Sequence, residues 1–390
     1  MSTWFSVAAV APSLARDWQL STPQLGLLTV MVQLGFVTGG LASAVSGISD
    51  IVPARRVFTA SALAAAAANA ALVLTGGHYP AALALRFVLG FTLAGVYPTG
   101  MKVLTEWFRA GRGLAIGTLV GAIALSTAVP HLLAGIGLAG ALPWQFVINA
   151  TSLGAVISAI IVVVFVRQGP FASPAGRVDL GWALRSLRAP ALRLANFGYL
   201  GHMWELFAMW TWLPAFLLAS MTAWDPALQA SVAGRWASLA AALAIAAGAP
   251  ACIAAGLLAD RVGRTTVTAG AMAISGACAV ATGLLFGGAP ALIIAVAIVW
   301  GVAVIADSAQ FSASVSELAE HERVGSALAL QTALGFLLTA VSIQLLPLIQ
   351  STVGWPGSLA MLAIGPALGV IAMVRLRARP EAIRLAGGRR

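Results

Sequence analysis

Four ionisable side chains lie inside long apolar runs of the chain: Arg86, His202, Glu205 and Asp307. An ionisable residue at the centre of a membrane-spanning helix costs about 2.5–3.5 kcal/mol, so each of the four is a candidate for function. His202 and Glu205 are three residues apart and share one face of a helix, where they could exchange a proton. Glu205 is the first candidate for loading and releasing that proton. The alternative is that the two side chains form a satisfied polar pair that only holds their helix in place.

The remaining candidates each have a structural alternative. Asp307 is expected nearer one membrane surface and could simply meet interfacial water, and Arg86 could bind an anionic solute or hold helices together. Trp204 is expected near the membrane midplane, where it could line an apolar or aromatic cavity. His131 is more typical of a packed histidine than of a ligand. Cys252 and Cys278 have no metal-ligand spacing and are interpreted as small buried residues.

A short charged segment between two apolar runs is the second feature whose residues could have a chemical role. It contains Gly256, Asp260, Arg261, Gly263 and Arg264. Charge this dense predicts a tight turn outside the membrane. A degraded counterpart lies in the first half of the chain, at Gly47 to Asp50 followed by Arg55 and Arg56.

Composition explains where these groups must sit. Hydrophobic residues make up 60% of the 390 residues and charged residues only 9%, whereas soluble domains have about 25% charged residues. The chain is therefore predicted to be an integral membrane protein, with room for about twelve helices of roughly 20 residues. The apolar runs place spans 2 to 12 at 24–45, 57–75, 81–101, 113–135, 144–166, 194–219, 236–258, 266–286, 290–312, 325–347 and 356–374.

Span 1, residues 3–14, has only about half the length needed to cross the hydrocarbon layer. We interpret it as the outer half of a truncated first helix. A signal peptide is an alternative, although the segment lacks a basic n-region, and a genuinely short helix is another.

Basic residues predict the orientation of the chain. Nineteen of the 22 Lys and Arg residues fall in one alternating set of loops, which includes the linker 167–193 and the tail 375–390. Cytoplasmic loops carry such an excess, so both termini are expected in the cytoplasm. The net charge of +10 is thus explained by the basic residues of the cytoplasmic loops and not by nucleic-acid binding. The linker separates two helix bundles, expected at 1–166 and 194–374.

Several landmarks recur 211 residues apart and indicate an internal duplication. They are Gly76-Gly77 and Gly287-Gly288, Glu106 and Glu317, Arg112 and Arg323, and Trp144 and Trp355. Charged and tryptophan residues are scarce in this chain, so these matches carry weight.

Two six-helix halves, a basic linker and the G-x-L-x-D-R-x-G-R segment at 256–264 resemble the major facilitator superfamily of secondary transporters. Arg86 and Gly90 match a second motif of that superfamily, R-x-x-x-G. Tyr97-Pro98, Glu106-Trp107-Phe108 and Arg112-Gly113 resemble the branch of nitrate/nitrite and cyanate permeases. The mid-membrane arginines that nitrate carriers place on spans 2 and 8 are missing here, and so is the antiporter Gly-Pro pair of span 5.

The resemblance implies an all-α membrane protein of two pseudo-symmetric six-helix bundles, with spans 1, 4, 7 and 10 around a central path. It also implies a gate role for the 256–264 segment, in which its charges close the cytoplasmic side. The alternative is an anchor that keeps the loop out of the bilayer.

The sequence contains no phosphate-binding G-x-x-x-x-G-K-[ST], H-E-x-x-H or G-x-S-x-G motif, so we expect neither an enzyme nor a cofactor. We expect a monomeric proton symporter for a small solute, in a bacterial inner membrane and moving its solute by alternating access. Alternatives are an efflux antiporter, a uniporter and a non-transporting membrane sensor.

Overall fold

The computed structural model describes residues 1–46, 52–108, 112–171, 179–320 and 323–389. Every regular element within these ranges is a helix, and ten helical runs are long and apolar enough to cross a membrane. The last run, Val324–Arg377, is 54 residues long and contains non-helical backbone at Gly354, so it supplies spans 11 and 12. The protein is therefore a multi-pass, all-α membrane protein, as the composition predicts.

Most helices begin and end within a few residues of the predicted limits, but Val324–Leu362 continues through the expected gap between spans 11 and 12 and bends at Gly354. In chain order the helices are Thr22–Ser46, Ala54–Ala71, Tyr79–Leu93, Tyr97–Trp107, Arg112–Ala139, Gln145–Phe165, Pro190–Trp224, Ala230–Val262, Arg264–Leu284, Pro290–Ala306, Ser308–Leu318, Val324–Leu362 and Ile364–Arg377. The linker adds a short helix, Leu180–Ser186, and the tail adds a 3-10 segment, Pro380–Gly388. We call the side of the bundle that carries these two elements the linker face.

Spans 4 and 10 are each broken into two helices. Pro98 favours a kink in span 4, whereas no residue pattern predicts the break in span 10. Span 4 breaks between Leu93 and Tyr97, and span 10 breaks at Asp307. In span 4, Pro98 follows the break, and its missing N–H suits the first turn of a new helix. The two breaks are 211 residues apart, so they extend the internal repeat to the backbone.

In each half of the protein, one glycine allows two helices to come into backbone contact. The two glycines occupy equivalent positions of the internal repeat. A Cβ on Gly90 of span 4 would overlap the carbonyl oxygen of Val32 in span 2. A Cβ on Gly301 of span 10 would likewise overlap the carbonyl oxygen of Ala244 in span 8. Gly90 and Gly301 are also 211 residues apart. Small residues of this kind allow membrane helices to approach closely.

The N-terminal segment forms two short helices, Ser6–Ala9 and Ala11–Trp18, separated at Val10. The single helix expected over 3–14 is therefore bent and extends to Trp18. Its far end is held by Trp144, whose Nε1 donates to Asp17 Oδ2 at 2.7 Å and whose ring meets the edge of Trp18.

The two halves meet along a row of aromatic rings that we call the aromatic seam. Ring centroids across the seam are 4.7–5.7 Å apart, a range typical of favourable aromatic pairs. Its members are Trp4, Phe5 and Phe36 from the first half, and Phe207, Trp210 and Phe336 from the second. Farther from the linker face, Gln344 Nε2 donates to the Pro23 carbonyl at 3.2 Å and also joins the halves.

Candidate functional site

A cavity of about 110 Å³ lies between the halves, beside the aromatic seam. Both bundles contribute to it, through spans 1, 4, 5, 7, 10 and 11. Its wall is made of aromatic, aliphatic and methionine side chains with a few hydroxyl groups: Met1, Trp4, Phe5, Tyr97, Met101, Val120, Ile123, Thr127, Tyr199, Met203, Leu206, Phe207, Trp210, Ile305, Ser308, Ala309, Ser312, Thr332 and Phe336. None of these side chains carries a charge.

The predicted ionisable residues of spans 7 and 10 lie behind this wall. His202 and Asp307 are each 1% exposed, and His202 Nδ1 is 2.8 Å from Asp307 Oδ1. The contact is an ion pair when His202 is protonated. Asp307 is thus buried against a histidine of another span, which does not agree with the interfacial position considered above.

Glu205 is also 1% exposed, but its partners are not those expected from the sequence. Trp300 Nε1 donates to one carboxylate oxygen at 2.7 Å, and Ser275 Oγ donates to the other at 2.8 Å. The predicted His202–Glu205 pair is replaced by two separate contacts, because side chains of spans 9 and 10 reach Glu205. The sequence does not predict Ser275 and Trp300 as partners, since nothing in their local sequence indicates a carboxylate on another span.

Arg86 is fully enclosed and connects three spans of the first half. Its guanidinium donates to backbone carbonyls of Thr3 and Leu28 at 3.1 Å, and also to the carbonyl of Trp4. It reaches Ser6 Oγ at 3.4 Å and Asn69 Oδ1 at 3.5 Å. The side chain does not line the cavity. This geometry matches the structural alternative more closely than an anion site.

Trp204 does not line the cavity either, which corrects the expectation from the sequence. Its Nε1 donates to the Met361 carbonyl at 3.1 Å, and its side chain contacts Gly365. It therefore faces span 12, whereas Trp210 on the same helix contributes to the cavity wall. His131 is buried, and among the described residues neither of its ring nitrogens has a hydrogen-bond partner.

The tight turn predicted in 256–264 is formed by Gly263, at φ 100°, because the span 8 helix continues to Val262 and the span 9 helix begins at Arg264. Arg264 binds Glu317 of span 10 through two hydrogen bonds of 2.6 and 2.8 Å, and Gln310 Oε1 accepts a third at 2.7 Å. Arg264 Nη2 is 3.6 Å from Asp260, so these charges meet within the second half. In the sequence, Glu317 is notable only as a landmark of the internal repeat. That landmark is the signal that could have identified it as the partner of Arg264.

The other members of the predicted gate motif are less engaged. Gly256 lies within the span 8 helix, and Arg261 and Arg56 are exposed. Arg55, at the start of span 3, is exposed as well. Asp50 lies outside the described residues. Within the described part of the chain, no three His, Cys, Asp or Glu side chains are grouped so as to hold a metal ion.

The C-terminal tail covers the same charged cluster. The Ala386 N–H donates to Glu317 Oε2 at 3.0 Å, and Arg389 donates to the Asp260 carbonyl. Ala382 and Leu385 are fully buried against the bundle. The sequence of this tail indicates only a basic topology signal, because its buried positions are too few to form an apolar pattern.

Comparisons with known proteins agree with this architecture. The family model of the Major Facilitator Superfamily matches residues 1–343. No curated protein sequence matches the chain. Among solved structures, a D-xylose-proton symporter is 12% identical with a TM-score of 0.73, covering 98% of this chain and 96% of the symporter. A bacterial homolog to the human lysosomal transporter Spinster, in an inward-facing and unoccupied conformation, is 15% identical with a TM-score of 0.65, covering 97% of this chain and 93% of the homolog.

These identities show a shared fold and nothing finer. The family match covers most of the chain, and the helix order and the repeat agree with it. The branch of nitrate/nitrite and cyanate permeases stays a prediction. On the family match, the chain belongs to the Major Facilitator Superfamily.

Proposed function

We propose that this protein is a secondary transporter that moves a small solute by alternating access, coupled to proton symport. The observation that carries the proposal is the cavity between the halves, with a buried group of ionisable side chains directly behind its wall. Major facilitator proteins are built to open such a central site to either side. One of the fold neighbours is described as a proton symporter, but the coupling proposed here rests on this chain's own residues.

His202 and Asp307 are placed to link protonation to the shape of the cavity. Asp307 lies at the break in span 10, immediately before Ser308, which lines the wall. His202 lies between wall residues Tyr199 and Met203 on span 7. A change in charge at this pair would therefore act on the junction of the two helices of span 10 and on the wall itself.

Glu205 is the residue proposed to load and release the proton. As a carboxylate it accepts hydrogen bonds from Trp300 and Ser275. Protonation would convert one of its oxygens from an acceptor into a donor. The indole can only donate, so Ser275 is the partner whose hydroxyl can turn round and accept. The site thus has two hydrogen-bond arrangements, as a proton carrier requires.

The charged cluster of Asp260, Arg264 and Glu317 is proposed as the gate at the linker face. All of its contacts in the described residues are within the second half or with the tail. In this role its charges would be released to contact the first half when that face closes. An anchor that only keeps the loop in water would have no need of the buried Gln310. We further propose that the linker face is cytoplasmic, in a bacterial inner membrane, and that the protein acts as a monomer.

The decisive experiment is proton flux into vesicles that contain the purified protein, with a panel of sugars, amino acids, organic acids and uncharged ring compounds. The wild type is compared with Glu205→Gln and with Asp225→Asn, an exposed carboxylate in the loop after span 7. Symport predicts solute-dependent alkalinisation outside the vesicles that Glu205→Gln abolishes and Asp225→Asn retains. Proton movement opposite to the solute would identify an antiporter. Solute movement with no proton flux would identify a uniporter and contradict the coupling role of Glu205.

A further inference from the structure

We infer that the central cavity binds an uncharged solute of about the size of one six-membered ring, which carries a hydrogen-bond acceptor. The inference rests on the proposed transport function, because it names the solute class of that same site. Three features of the cavity carry it: its lack of charge, its volume and its unpaired donors.

The first feature is the absence of charged side chains from the wall. Transfer of a charged solute from water into such a site would leave its charge without a partner, which is strongly unfavourable. Met1 also lines the cavity, and burial lowers the pKa of its α-amino group to about 6, so this group is mostly uncharged at neutral pH. His202 and Asp307 face each other behind the wall. The Arg86 guanidinium already donates hydrogen bonds to backbone carbonyls of the first half. The solute therefore binds in a neutral form.

The second feature is the volume. A cavity of roughly 150 Å³ with an apolar lining accommodates benzene, while sites for drug-sized ligands measure about 300–1,000 Å³. At about 110 Å³ this cavity is smaller than both, so its occupant can be no larger than a single small ring. The rings of Trp4, Phe207 and Phe336 lie on its wall and offer faces and edges for stacking.

The third feature is a pair of unsatisfied hydrogen-bond donors. Trp4 and Trp210 both line the cavity, and each is 2% exposed. Among the described residues, neither indole N–H has an acceptor. Trp204, Trp212 and Trp300 on the same or neighbouring spans all have one. A buried donor without an acceptor is costly, and an indole can only donate. An acceptor on the solute, such as a carbonyl oxygen, would satisfy one or both.

The test is equilibrium dialysis of radiolabelled acetophenone against the purified full-length chain in detergent micelles, with protein-free micelles subtracted. Acetophenone has one ring, one carbonyl acceptor and no charge. Toluene lacks the acceptor, benzoate carries a charge, and D-xylose is a polyhydroxylated solute of similar size. We expect acetophenone to bind, toluene to bind about three- to tenfold more weakly, and benzoate and D-xylose about 100-fold more weakly or not at all.

Two variants test the donors directly. Trp4→Phe and Trp210→Phe retain a ring and remove the N–H, so each is expected to weaken acetophenone binding by about three- to tenfold while toluene binding is unchanged. Trp224→Phe is the control, since Trp224 is exposed and lies outside the cavity wall. Thermal unfolding of each variant checks that it is folded.

Several outcomes would overturn the inference: no acetophenone binding, benzoate or D-xylose binding as tightly as acetophenone, or unchanged affinity in both donor variants. The dialysis measures no transport, so its failure is distinct from failure of the proposed function. Solute-driven proton flux with a charged solute would support the transporter and reject this solute class. Specific acetophenone binding without any flux would do the reverse.

Discussion

His202 Nδ1 and Asp307 Oδ1 are 2.8 Å apart, on different spans and both enclosed by the second bundle. This contact joins span 7 to the break in span 10, the two elements that contribute most of the cavity wall on that side. An isolated charge is too costly here, so the two side chains are expected to respond to mutation as one unit.

His202→Gln and Asp307→Asn are therefore predicted to be non-additive. Each single change leaves one buried ionisable side chain facing an amide that cannot carry the opposite charge, and the double change removes both ionisable groups. The interaction energy should be about 0.5–3 kcal/mol, as for other contacting pairs. Unfolding free energies of the four proteins in mixed micelles would measure it. Strict additivity would show that the 2.8 Å contact contributes nothing to stability.

Gly90→Ala and Gly301→Ala are each predicted to destabilise the protein by about 1–3 kcal/mol, because the new methyl group would overlap a carbonyl of the neighbouring span. The matched controls are Gly154→Ala and Gly270→Ala, which lie in helices and have no heavy atom within 4 Å of the added Cβ. These controls should be neutral or slightly stabilising, since alanine favours helices. Thermal midpoints would compare the four variants. Equal effects at all four positions would argue that only helix propensity is being measured.

The linker helix is predicted to depend on Asp179. This carboxylate accepts from Trp182 N at 2.8 Å and from Arg323 Nη1 at 2.9 Å, and its own N–H donates to Ser326 Oγ. The Trp182 N–H, together with the charge of Arg323, holds the pKa of Asp179 below its usual value of about 3.9. The folded-state pKa is depressed, so the contribution to stability is present above the usual pKa and is lost as pH falls through the folded-state pKa.

At neutral pH the same loss can be produced by mutation. Asp179→Asn keeps the cap acceptor and removes the ion pair, whereas Asp179→Ala removes both. Hydrogen–deuterium exchange of residues 180–186 at fixed pH should rise from wild type to Asn to Ala, with span 11 unchanged. Because the carboxylate is 38% exposed, the ion-pair part should shrink as salt is added. Exchange that is equal in all three proteins would mean that other contacts hold the linker helix.

The tail is predicted to be protected from trypsin by one buried side chain. Leu385 is fully buried, whereas its near neighbour Ile383 is 59% exposed. Leu385→Asp should release the tail and speed cleavage after Arg384 and Arg389, since proteolysis follows local opening. Ile383→Asp introduces the same charge on the exposed face and should leave the rate near wild type. Mass spectrometry of the C-terminal peptides gives the rates, and equal acceleration in both variants would contradict a docked tail.

Much of the fold follows from the sequence, because apolar run length and basic-residue placement are local properties. The spans, the tight turn at Gly263 and the duplication are all of this kind. Pro98 marks a kink beside the break at 94–96, whereas nothing local marks the break at Asp307, since apolar composition continues through it. The break at Asp307 becomes recognisable only when the two halves are aligned at the offset of 211.

The candidate site was predicted less completely, for a different reason. The sequence identified His202, Glu205 and Asp307 by the cost of charge in a membrane, but partners depend on which faces of separate spans meet. The hydrogen-bond partners of Glu205 are therefore Trp300 and Ser275, and not His202. Trp204 and Trp210 are equally apolar in sequence, and only the packing of span 12 decides that Trp204 is turned away from the cavity.

The aromatic seam also has a thermodynamic consequence. When the halves separate on the side away from the linker face, rings such as Phe36 and Phe336, now 4.7 Å apart, would become hydrated. Hydration of apolar surface raises the heat capacity, so the balance between the two orientations of the carrier should vary with temperature along a curve and not a straight line. The affinity of a solute that binds one orientation more tightly would show the same curved dependence on temperature. Cooling would then weaken the contacts of the aromatic seam and favour the state in which its rings are hydrated.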